Sequence, residues 1–159
     1  MILGLVLCYG QCPMDTTAFV SDRLRGAGER VTSQRLQIAR ELGRVRRQVT
    51  AEELYTRLRR SHPGIGRATV FRTLERLVDA GVARRLEQPG HVYGYVLCQP
   101  EHHHHLACTG CGRVEDIGEA YIGPMAERIR RERGFQVDDA RLDFYGQCAD
   151  CRGSAFAGA

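Results

Sequence analysis

Four consecutive histidines, residues 102–105, run almost directly into Cys108 and Cys111. A second pair, Cys148 and Cys151, lies near the end of the chain. Imidazole nitrogens and thiolate sulfurs are the side-chain ligands that suit zinc and related borderline-soft metals. Each cysteine pair has the C-x-x-C spacing that brings two sulfurs to one ion from a tight turn, so the two pairs together predict a closed, four-sulfur structural zinc site.

The histidine run predicts a second, open kind of metal site. On a strand, alternate side chains face opposite sides, so His103 and His105 project to one side and His102 and His104 to the other. One run can therefore supply two different sites. Cys98 lies just upstream and either adds a thiolate ligand or serves as a small core residue. The alternative for the histidines is that they are solvated or hydrogen-bonded without a metal.

Composition limits the class of protein. The chain has 159 residues, 43% of them hydrophobic, so a packed core is feasible. Seven cysteines, an odd number, argue against a secreted disulfide scaffold and for metal ligation in a reducing cytoplasm. No apolar run is long enough to span a bilayer, so we expect no membrane partner. Residues 1–14 are expected to be a disordered extension or to reflect a mis-assigned start, with translation beginning at Met14. Residues 154–159 are expected to be a disordered tail.

The basic charge lies in the first half of the chain. All basic residues are arginines; residues 1–90 hold 16 of them against 9 acids, and residues 91–159 hold 7 against 10. A basic first half joined to an acidic, ligand-rich second half indicates that the first half meets a polyanion. A fluctuation between two solvated surfaces is the alternative.

The first half has the pattern of a winged helix. Helices are predicted at residues 16–25, at 33–42 after an N-cap at Thr32, after the Thr50–Glu53 capping box, and at 68–80. Two strands then follow, at residues 82–86 and 92–97, around a turn. Arg84 and Arg85 on the first strand are candidates for phosphate contacts.

The fourth predicted helix carries two distinct faces. Its inner face is expected to hold Val70, Phe71, Leu74, Leu77 and Val78. Its outer face is expected to hold Arg67, Thr69, Arg72, Thr73 and Arg76. Arginines and threonines at helical spacing, after a tight turn, suit a recognition helix that reads guanine edges and thymine methyls in the major groove. An ordinary amphipathic helix with a solvated arginine face is the alternative.

The second half predicts a small sheet with one long helix. Strands are expected at residues 102–108, 113–117 and 142–145, and a helix at 125–134, with Pro124 in its first turn. Such a unit buries little surface alone, and zinc and dimerisation are the usual supplements.

From about Leu24 to Cys151, the chain resembles the ferric uptake regulator family of bacterial metalloregulators. The matching motifs are Arg30-x-Thr32-x-x-Arg35, Thr50-Ala51-Glu52-Glu53-Leu54-Tyr55, Ala68-Thr69-Val70-Phe71-Arg72-Thr73-Leu74, His102–His105-Leu106-Ala107-Cys108-x-x-Cys111-Gly112, Gly134-Phe135 and Phe144-Tyr145-Gly146-x-Cys148-x-x-Cys151.

The resemblance implies an α+β fold. A winged-helix DNA-binding domain at residues 15–98 is followed by a hinge at 99–101 and a metal-binding α/β dimerisation domain at 102–153. It also implies a structural zinc on four cysteines and a regulatory metal at the hinge. Metal-loaded homodimers of this kind bind palindromic operators in double-stranded DNA and repress metal-uptake genes.

The chain departs from the family pattern at several site positions. Phe71 stands where the family usually has Tyr, beside the base-reading arginine that Arg72 matches. The iron-type hinge ligands fall at Gln48 and Val96, neither of which suits iron. Zinc-sensing members instead resemble this chain at Cys98, His103 and His105, and a thiolate favours Zn²⁺ over Fe²⁺, Mn²⁺ or Ni²⁺.

The other ligand positions of the family pattern are only partly matched in this chain. The acidic fourth ligand of zinc-sensing members falls at Arg84, so Glu87 or His91 is the expected substitute. A second family site uses residues matching His102 and His104, but its acid and its later histidine fall at Gly123 and Ala140. That second site therefore looks incomplete, although Asp138 and Asp139 lie close by in sequence.

These observations favour a zinc-responsive repressor without a small-molecule substrate. Within the same fold, an iron- or manganese-dependent peroxide sensor or a ferric-uptake-type repressor is the alternative. A zinc hydrolase or deaminase is the alternative from another class. The sequence lacks H-E-x-x-H, and it lacks H-x-E paired with P-C-x-x-C, so no general base is placed beside an open zinc and we expect no enzyme.

Overall fold

The computed structural model describes residues 16–45, 47–88, 91–98 and 102–154. Four helices and a two-stranded hairpin form the first half, and a three-stranded sheet with helices forms the second half. In chain order the elements are α1 (Thr16–Gly26), α2 (Ser33–Gly43), α3 (Ala51–Ser61), α4 (Arg67–Asp79), β1 (Ala83–Gln88), β2 (Val92–Leu97), β3 (His104–Cys108), β4 (Val114–Ile117), a 3-10 helix (Glu119–Tyr121), α5 (Gly123–Arg133), β5 (Asp143–Gly146) and α6 (Ala149–Ser154).

Hydroxyl caps fix where α2 and α3 begin, as the sequence predicted. The Thr32 side chain accepts a hydrogen bond from the Arg35 amide at 3.3 Å. The Thr50 hydroxyl accepts from the Glu53 amide at 3.1 Å, and the Glu53 carboxylate accepts from the Thr50 amide at 2.8 Å. Burial alone would raise the Glu53 pKa, but these bonds and the nearby Arg47 guanidinium outweigh it and lower the pKa. The α3 start therefore has both partners of a capping box.

The first core lies among the four helices and the hairpin. Its fully or nearly fully buried members include Val20, Leu24, Ile38, Leu42, Val49, Leu54, Leu58, Val70, Leu74, Leu77 and Tyr95. Strands β1 and β2 pair antiparallel, with Ala83 opposite Leu97. A Cβ at Gly43 would lie 2.9 Å from a methyl carbon of Leu97, so the end of α2 packs closely on the hairpin and a side chain there would make Leu97 shift. Helix α4 packs its buried face against α2, α3 and β1 and leaves its opposite face exposed.

The second half is built on the histidine strand. The sheet order is β4-β3-β5, with β3 antiparallel to β4 and parallel to β5. His105 therefore has a strand neighbour on both sides, Asp116 on β4 and Asp143 on β5. Helix α5 has Pro124 in its first turn and is followed by Gly134, whose φ of 65° is the left-handed conformation that glycine adopts without strain.

A second, smaller core joins the two halves. Leu86 and Val96 from the hairpin are buried with Ala107 of β3, and Val114 of β4 packs against them. Backbone contacts reinforce this junction: the Gln48 amide donates to the Gly112 carbonyl at 3.0 Å, and the Glu87 amide donates to the Tyr145 hydroxyl at 3.3 Å. The wing is thus docked on the sheet that carries the histidines.

Several sequence-based boundaries need correction. Strand β3 begins at His104 rather than at residue 102, and the 3-10 helix and α6 were not predicted. The predicted tail begins too early, because Ser154 is the last residue of α6. The predicted hinge at 99–101, the predicted extension at residues 1–14 and residues 155–159 lie outside the described residues. Among the residues that are described, none of the helices is long and apolar enough to cross a membrane.

Candidate metal centres and nucleic-acid interface

The four cysteines predicted to bind zinc come together. The sulfurs of Cys108, Cys111, Cys148 and Cys151 all lie within 4.8 Å of one another, and none forms a disulfide. The Cys111 and Cys148 sulfurs are 3.8 Å apart. A tetrahedral zinc with Zn–S bonds of about 2.3 Å has sulfur–sulfur edges of about 3.8 Å, so the cluster has the size of a zinc tetrathiolate.

The turns around these cysteines are shaped for thiolates. The Cys148 amide donates to the Cys108 sulfur at 3.3 Å. That bond, with further amide donors from Cys111 and Gly110, lowers the pKa of Cys108 to about 6. A Cβ at Gly110 would lie 3.0 Å from the Cys151 sulfur, so a side chain there would push on the cluster. These features fit a metal ligand set better than a set of core thiols.

A second cluster unites Cys98 with His103 and His105. One ligand atom from each lies within 4.8 Å of the others, and the two imidazole centroids are 4.8 Å apart. Burial raises the pKa of the Cys98 thiol to about 12, with the charges of Asp116 and Asp143 contributing. The three side chains predicted for the sensor are thus neighbours, on segments that flank residues 99–101.

Asp116 is a candidate ligand that the sequence analysis missed. It lies opposite His105 in the β3–β4 register, and its Oδ1 is 3.9 Å from the Nε2 atoms of both His103 and His105. Tetrahedral zinc with nitrogen and oxygen ligands at about 2.0–2.2 Å separates them by about 3.4 Å. Only the pairing of β4 with β3 brings this acid to the histidines, so no linear motif could have marked it.

The two buried histidines of β3 are held in different tautomers. The Nδ1 of His105 lies 3.1 Å from the Asp143 Oδ1, and a carboxylate can only accept, so this nitrogen carries the proton. The Nε2 of His105 is buried and has no hydrogen-bond partner within the described residues, which leaves its lone pair available for a metal.

His104 has the opposite arrangement. The Leu142 amide donates to its Nδ1 at 3.3 Å, so in the neutral ring the proton sits on Nε2. That Nε2 lies 3.5 Å from the Glu119 Oε2, and the ring centroid is 4.9 Å from that of His102. His102, His104 and Glu119 thus form a third cluster of potential ligands, but His104 presents an N–H to it rather than a lone pair.

Neither predicted substitute for the fourth sensor ligand joins the sensor cluster. His91 and Glu87 contact each other, with the Nδ1 of His91 2.6 Å from the carboxylate. Among the described residues, the ligand group around Cys98 holds His103 and His105, and neither His91 nor Glu87 belongs to it. Both residues lie towards the wing tip, away from the C-terminal end of β2 where Cys98 follows, and this separation explains the difference.

Most of the predicted outer face of α4 is accessible. The side chains of Arg67 and Arg76 are 68% and 53% exposed, Arg72 is exposed, and Thr69 is half-buried. Arg67 pairs with Glu52 and stacks over a tyrosine ring, and Arg76 pairs with Glu29. Within the part of the chain that is described, Arg72 makes none of the ion pairs found, so its guanidinium is available to a partner.

Two side chains of α4, Thr73 and Phe71, lie on the opposite faces of the helix from those that the sequence predicted. Thr73, expected on the outer face, is 3% exposed and belongs to the buried side of the helix. Phe71, expected on the inner face, is 53% exposed and lies beside Arg72. A rotation of the helix by less than one residue position accounts for both, because residues 71 and 73 lie at the two edges of the apolar stripe.

The wing arginines are engaged within the chain. Arg84, a predicted phosphate contact, forms a two-pronged ion pair with Asp143 at 2.8–3.3 Å, and its side chain is 30% exposed. Arg85 pairs with Glu75 at 3.3 Å and stacks over the Tyr93 ring. Arg84 therefore points to the second half of the chain and not to a polyanion.

Comparison with known proteins identifies the family to which this chain belongs. The sequence profile of the Ferric uptake regulator family matches residues 26–145. The chain belongs to this family. It is 34% identical over 133 residues to a ferric uptake regulation protein of Legionella pneumophila, covering 83% of this chain and 98% of that relative.

Solved structures of family members have the same fold. The ferric uptake regulator of Vibrio cholerae is 33% identical, with a TM-score of 0.62, and the match covers 80% of this chain and 98% of that one. A zinc-bound manganese uptake regulator is 34% identical, with a TM-score of 0.60, and the match covers 81% of this chain and 98% of that one. These likenesses confirm the predicted α+β fold, with an N-terminal winged helix and a C-terminal dimerisation domain.

Family membership also gives the general activity. Proteins of the ferric uptake regulator family are metal-responsive transcription regulators and not enzymes, and this chain is one of them. The four-cysteine cluster supports a metal cofactor. Motif analysis did not find the acids beside His105, because strand pairing and not sequence spacing brings Asp116 and Asp143 there.

Proposed function

We propose that this regulator is a zinc-responsive repressor that binds palindromic operators in double-stranded DNA as a homodimer. One observation carries the choice of metal: the Cys98 sulfur lies within 4.8 Å of ligand atoms of His103 and His105. A thiolate with two imidazoles suits Zn²⁺ better than Fe²⁺ or Mn²⁺, which prefer oxygen and nitrogen ligands. When bound, the ion supplies a rigid, charge-neutralising link between segments on either side of residues 99–101.

The sensor's fourth ligand in this proposal is Asp116. Its carboxylate is 3.9 Å from both histidine Nε2 atoms and is 45% exposed, so a shift of its side chain brings an oxygen to the ion. One carboxylate, two imidazoles and one thiolate complete a four-coordinate site.

The cluster of His102, His104 and Glu119 has no regulatory metal in this proposal. The Leu142 amide holds His104 with its proton on Nε2, and a metal ligand must present a lone pair instead. Binding a metal there would require breaking that bond and turning a fully buried ring.

Helix α4 is the proposed recognition element. Arg72 is exposed and free of the ion pairs that engage Arg67 and Arg76, so it is the best candidate for a base edge. Arg67 and Arg76, which are held in ion pairs within the chain, suit contacts with DNA phosphates. Phe71 and Thr69 supply apolar contact for a thymine methyl. Thr73 has no part in this surface, because it is buried.

The second half supplies the proposed dimer face. Leu106 and Phe144 are neighbours across the β3–β5 register and are 39% and 44% exposed. Tyr121 and Met125 add further exposed apolar surface on the same half. Apolar area of this kind, on a small sheet, indicates a protein partner. We also propose that residues 99–101 form the hinge between the two domains.

The test begins with duplexes selected from a random DNA pool by zinc-loaded protein. Binding to the selected duplex is then titrated against buffered zinc, iron, manganese and nickel. His103→Ala with His105→Ala should retain one zinc per chain on the cysteines but lose metal-dependent binding. His102→Ala with His104→Ala, the matched pair from the same histidine run, should keep the zinc response.

Two outcomes would overturn this function. Zinc-dependent binding that survives His103→Ala with His105→Ala would remove the sensor assignment. A response to iron or manganese at lower free metal than zinc would favour the ferric-uptake or peroxide-sensing alternative, for which an added oxygen on a histidine after iron and peroxide treatment is the signature.

A further inference from the structure

Asp143 stands between the wing and the sensor. Its Oδ1 accepts from the Nδ1 of His105 at 3.1 Å, and its Oδ2 accepts from the Arg84 guanidinium at 2.8 and 3.1 Å. Arg84 is on β1 of the wing, and Asp143 opens β5 of the second sheet. One carboxylate thus contacts a proposed metal ligand and the docked wing at the same time.

The three groups form a sheltered network. The side chains of His105, Asp143 and Arg84 are 5%, 15% and 30% exposed. The Asp143 carboxylate lies between two donors, the His105 ring at 3.1 Å and the Arg84 guanidinium at 2.8 Å. An ionised carboxylate accepts only, so the His105 proton stays on Nδ1 and Nε2 keeps its lone pair.

We propose that Asp143 is a positioning residue that sets the His105 tautomer for metal binding and, through Arg84, links that binding to the docking of the wing. This inference rests on the proposed sensor, and it concerns a residue outside the ligand set. Partners that orient a ligating histidine typically change metal affinity 10–100-fold when removed.

The link to the wing follows from the position of Arg84. Arg84 is a permanent cation that cannot itself bind a metal, and it pairs with Asp143 at 2.8 Å. The wing is therefore tied to the sensor through an ion pair to an outer carboxylate. Because coupling between two events is reciprocal, loss of the Arg84–Asp143 pair must weaken metal binding if metal binding strengthens wing docking.

The first measurement is the imidazole nitrogen spectrum of full-length protein with zinc on the four cysteines only. His105 should show a protonated Nδ1 and His104 a protonated Nε2. In Asp143→Ala, the His105 signals should become a mixture of tautomers while those of His104 stay unchanged. Asp143→Asn keeps one carbonyl acceptor and guards against misfolding, so it should fall between the two.

The second measurement is zinc affinity at the sensor, by competition with a chromophoric chelator. Asp143→Ala should bind zinc about 10–100-fold more weakly. Arg84→Met should bind about fivefold more weakly or worse, the lower end of typical coupling. Arg85→Met is the matched control, because the adjacent side chain pairs with Glu75 instead, and it should leave affinity unchanged.

Failure of this inference is distinct from failure of the sensor. Unchanged His105 tautomer and zinc affinity in folded Asp143→Ala, or equal effects of Arg84→Met and Arg85→Met, would overturn the positioning role. If His103→Ala with His105→Ala leaves the zinc stoichiometry of the wild type unaltered, the sensor itself is wrong and the inference falls with it.

Discussion

Leu86 of the wing and Ala107 of the histidine strand are buried in one apolar cluster, which makes the junction between the two halves a packed core rather than a loose contact. Leu86 is fully buried there. We expect Leu86→Ala to lower the free energy of unfolding by about 2–5 kcal/mol, from lost burial and the cavity left behind. Chemical denaturation of zinc-loaded protein measures this.

Val92→Ala is the control for that experiment, because Val92 lies on the same hairpin and is 46% exposed. It should change the free energy of unfolding by no more than about 0.5 kcal/mol. Equal effects of the two substitutions would contradict a packed junction between the wing and the sheet.

Removal of metal from the cysteine cluster should unfold the second half. Its helix α5 has no buried residue, so the sheet has little apolar core of its own. Binding free energies of about 10–16 kcal/mol for structural zinc become folding free energy in such units. We expect Cys148→Ser to bind one zinc fewer per chain. Its circular dichroism spectrum should lose signal relative to the wild type, and the dimer should be lost.

Cys98→Ser is the matched cysteine control. Cys98 belongs to the sensor cluster, so this variant should keep the structural zinc, the fold and the dimer. Native mass spectrometry reports stoichiometry and oligomeric state together. A stable dimer of Cys148→Ser without zinc would refute the structural role.

Arg72→Ala should weaken binding to the selected duplex by about 1–3 kcal/mol, the usual value of one good base contact. Its loss should be much smaller on random DNA. Arg60→Ala, at an exposed position of α3, is the control for lost charge and should weaken both duplexes alike. Equal weakening on both duplexes by Arg72→Ala would reduce Arg72 to a phosphate contact.

The two threonines of α4 should behave differently. Thr69 is half-buried at the start of the helix, whereas Thr73 is 3% exposed. Thr69→Val should alter affinity for the selected duplex, and Thr73→Val should leave it unchanged while shifting the melting temperature. Fluorescence anisotropy and thermal unfolding, run on the same preparations, separate the two effects. An affinity change in folded Thr73→Val would return that residue to the DNA surface.

The elements of the winged helix were predictable because local chemistry defines them. The Thr50–Glu53 box starts α3 as expected, and the period-two pattern gives the hairpin, although β1 runs over Ala83–Gln88 and not over residues 82–86. The four-cysteine cluster was equally predictable, since each C-x-x-C fixes its own turn. The faces of α4 were predicted less well, because a stripe's edges depend on packing against α2 and α3 and not on periodicity alone.

The acids around the histidines could not be predicted. Asp116 reaches them by antiparallel pairing, and Asp143 lies 38 residues beyond His105 and reaches it by parallel pairing. The Nδ1 of His104 meets the Leu142 amide, which donates, and the Nδ1 of His105 meets the Asp143 carboxylate, which accepts. The tautomer of each ring follows from that neighbour. Such differences belong to sheet register, which a single sequence leaves open.

Asp116→Ala tests the fourth sensor ligand against its neighbour Glu119. Both acids are exposed and lie close to histidine Nε2 atoms, Asp116 to those of His103 and His105 and Glu119 to that of His104. If Asp116 binds the sensor zinc, its removal should weaken zinc binding more than the 10–100-fold typical of an outer partner. Glu119→Ala should leave sensor affinity unchanged, because its histidine presents an N–H. Chelator competition compares the two variants directly. A stronger effect of Glu119→Ala would move the regulatory metal to the other side of the histidine strand.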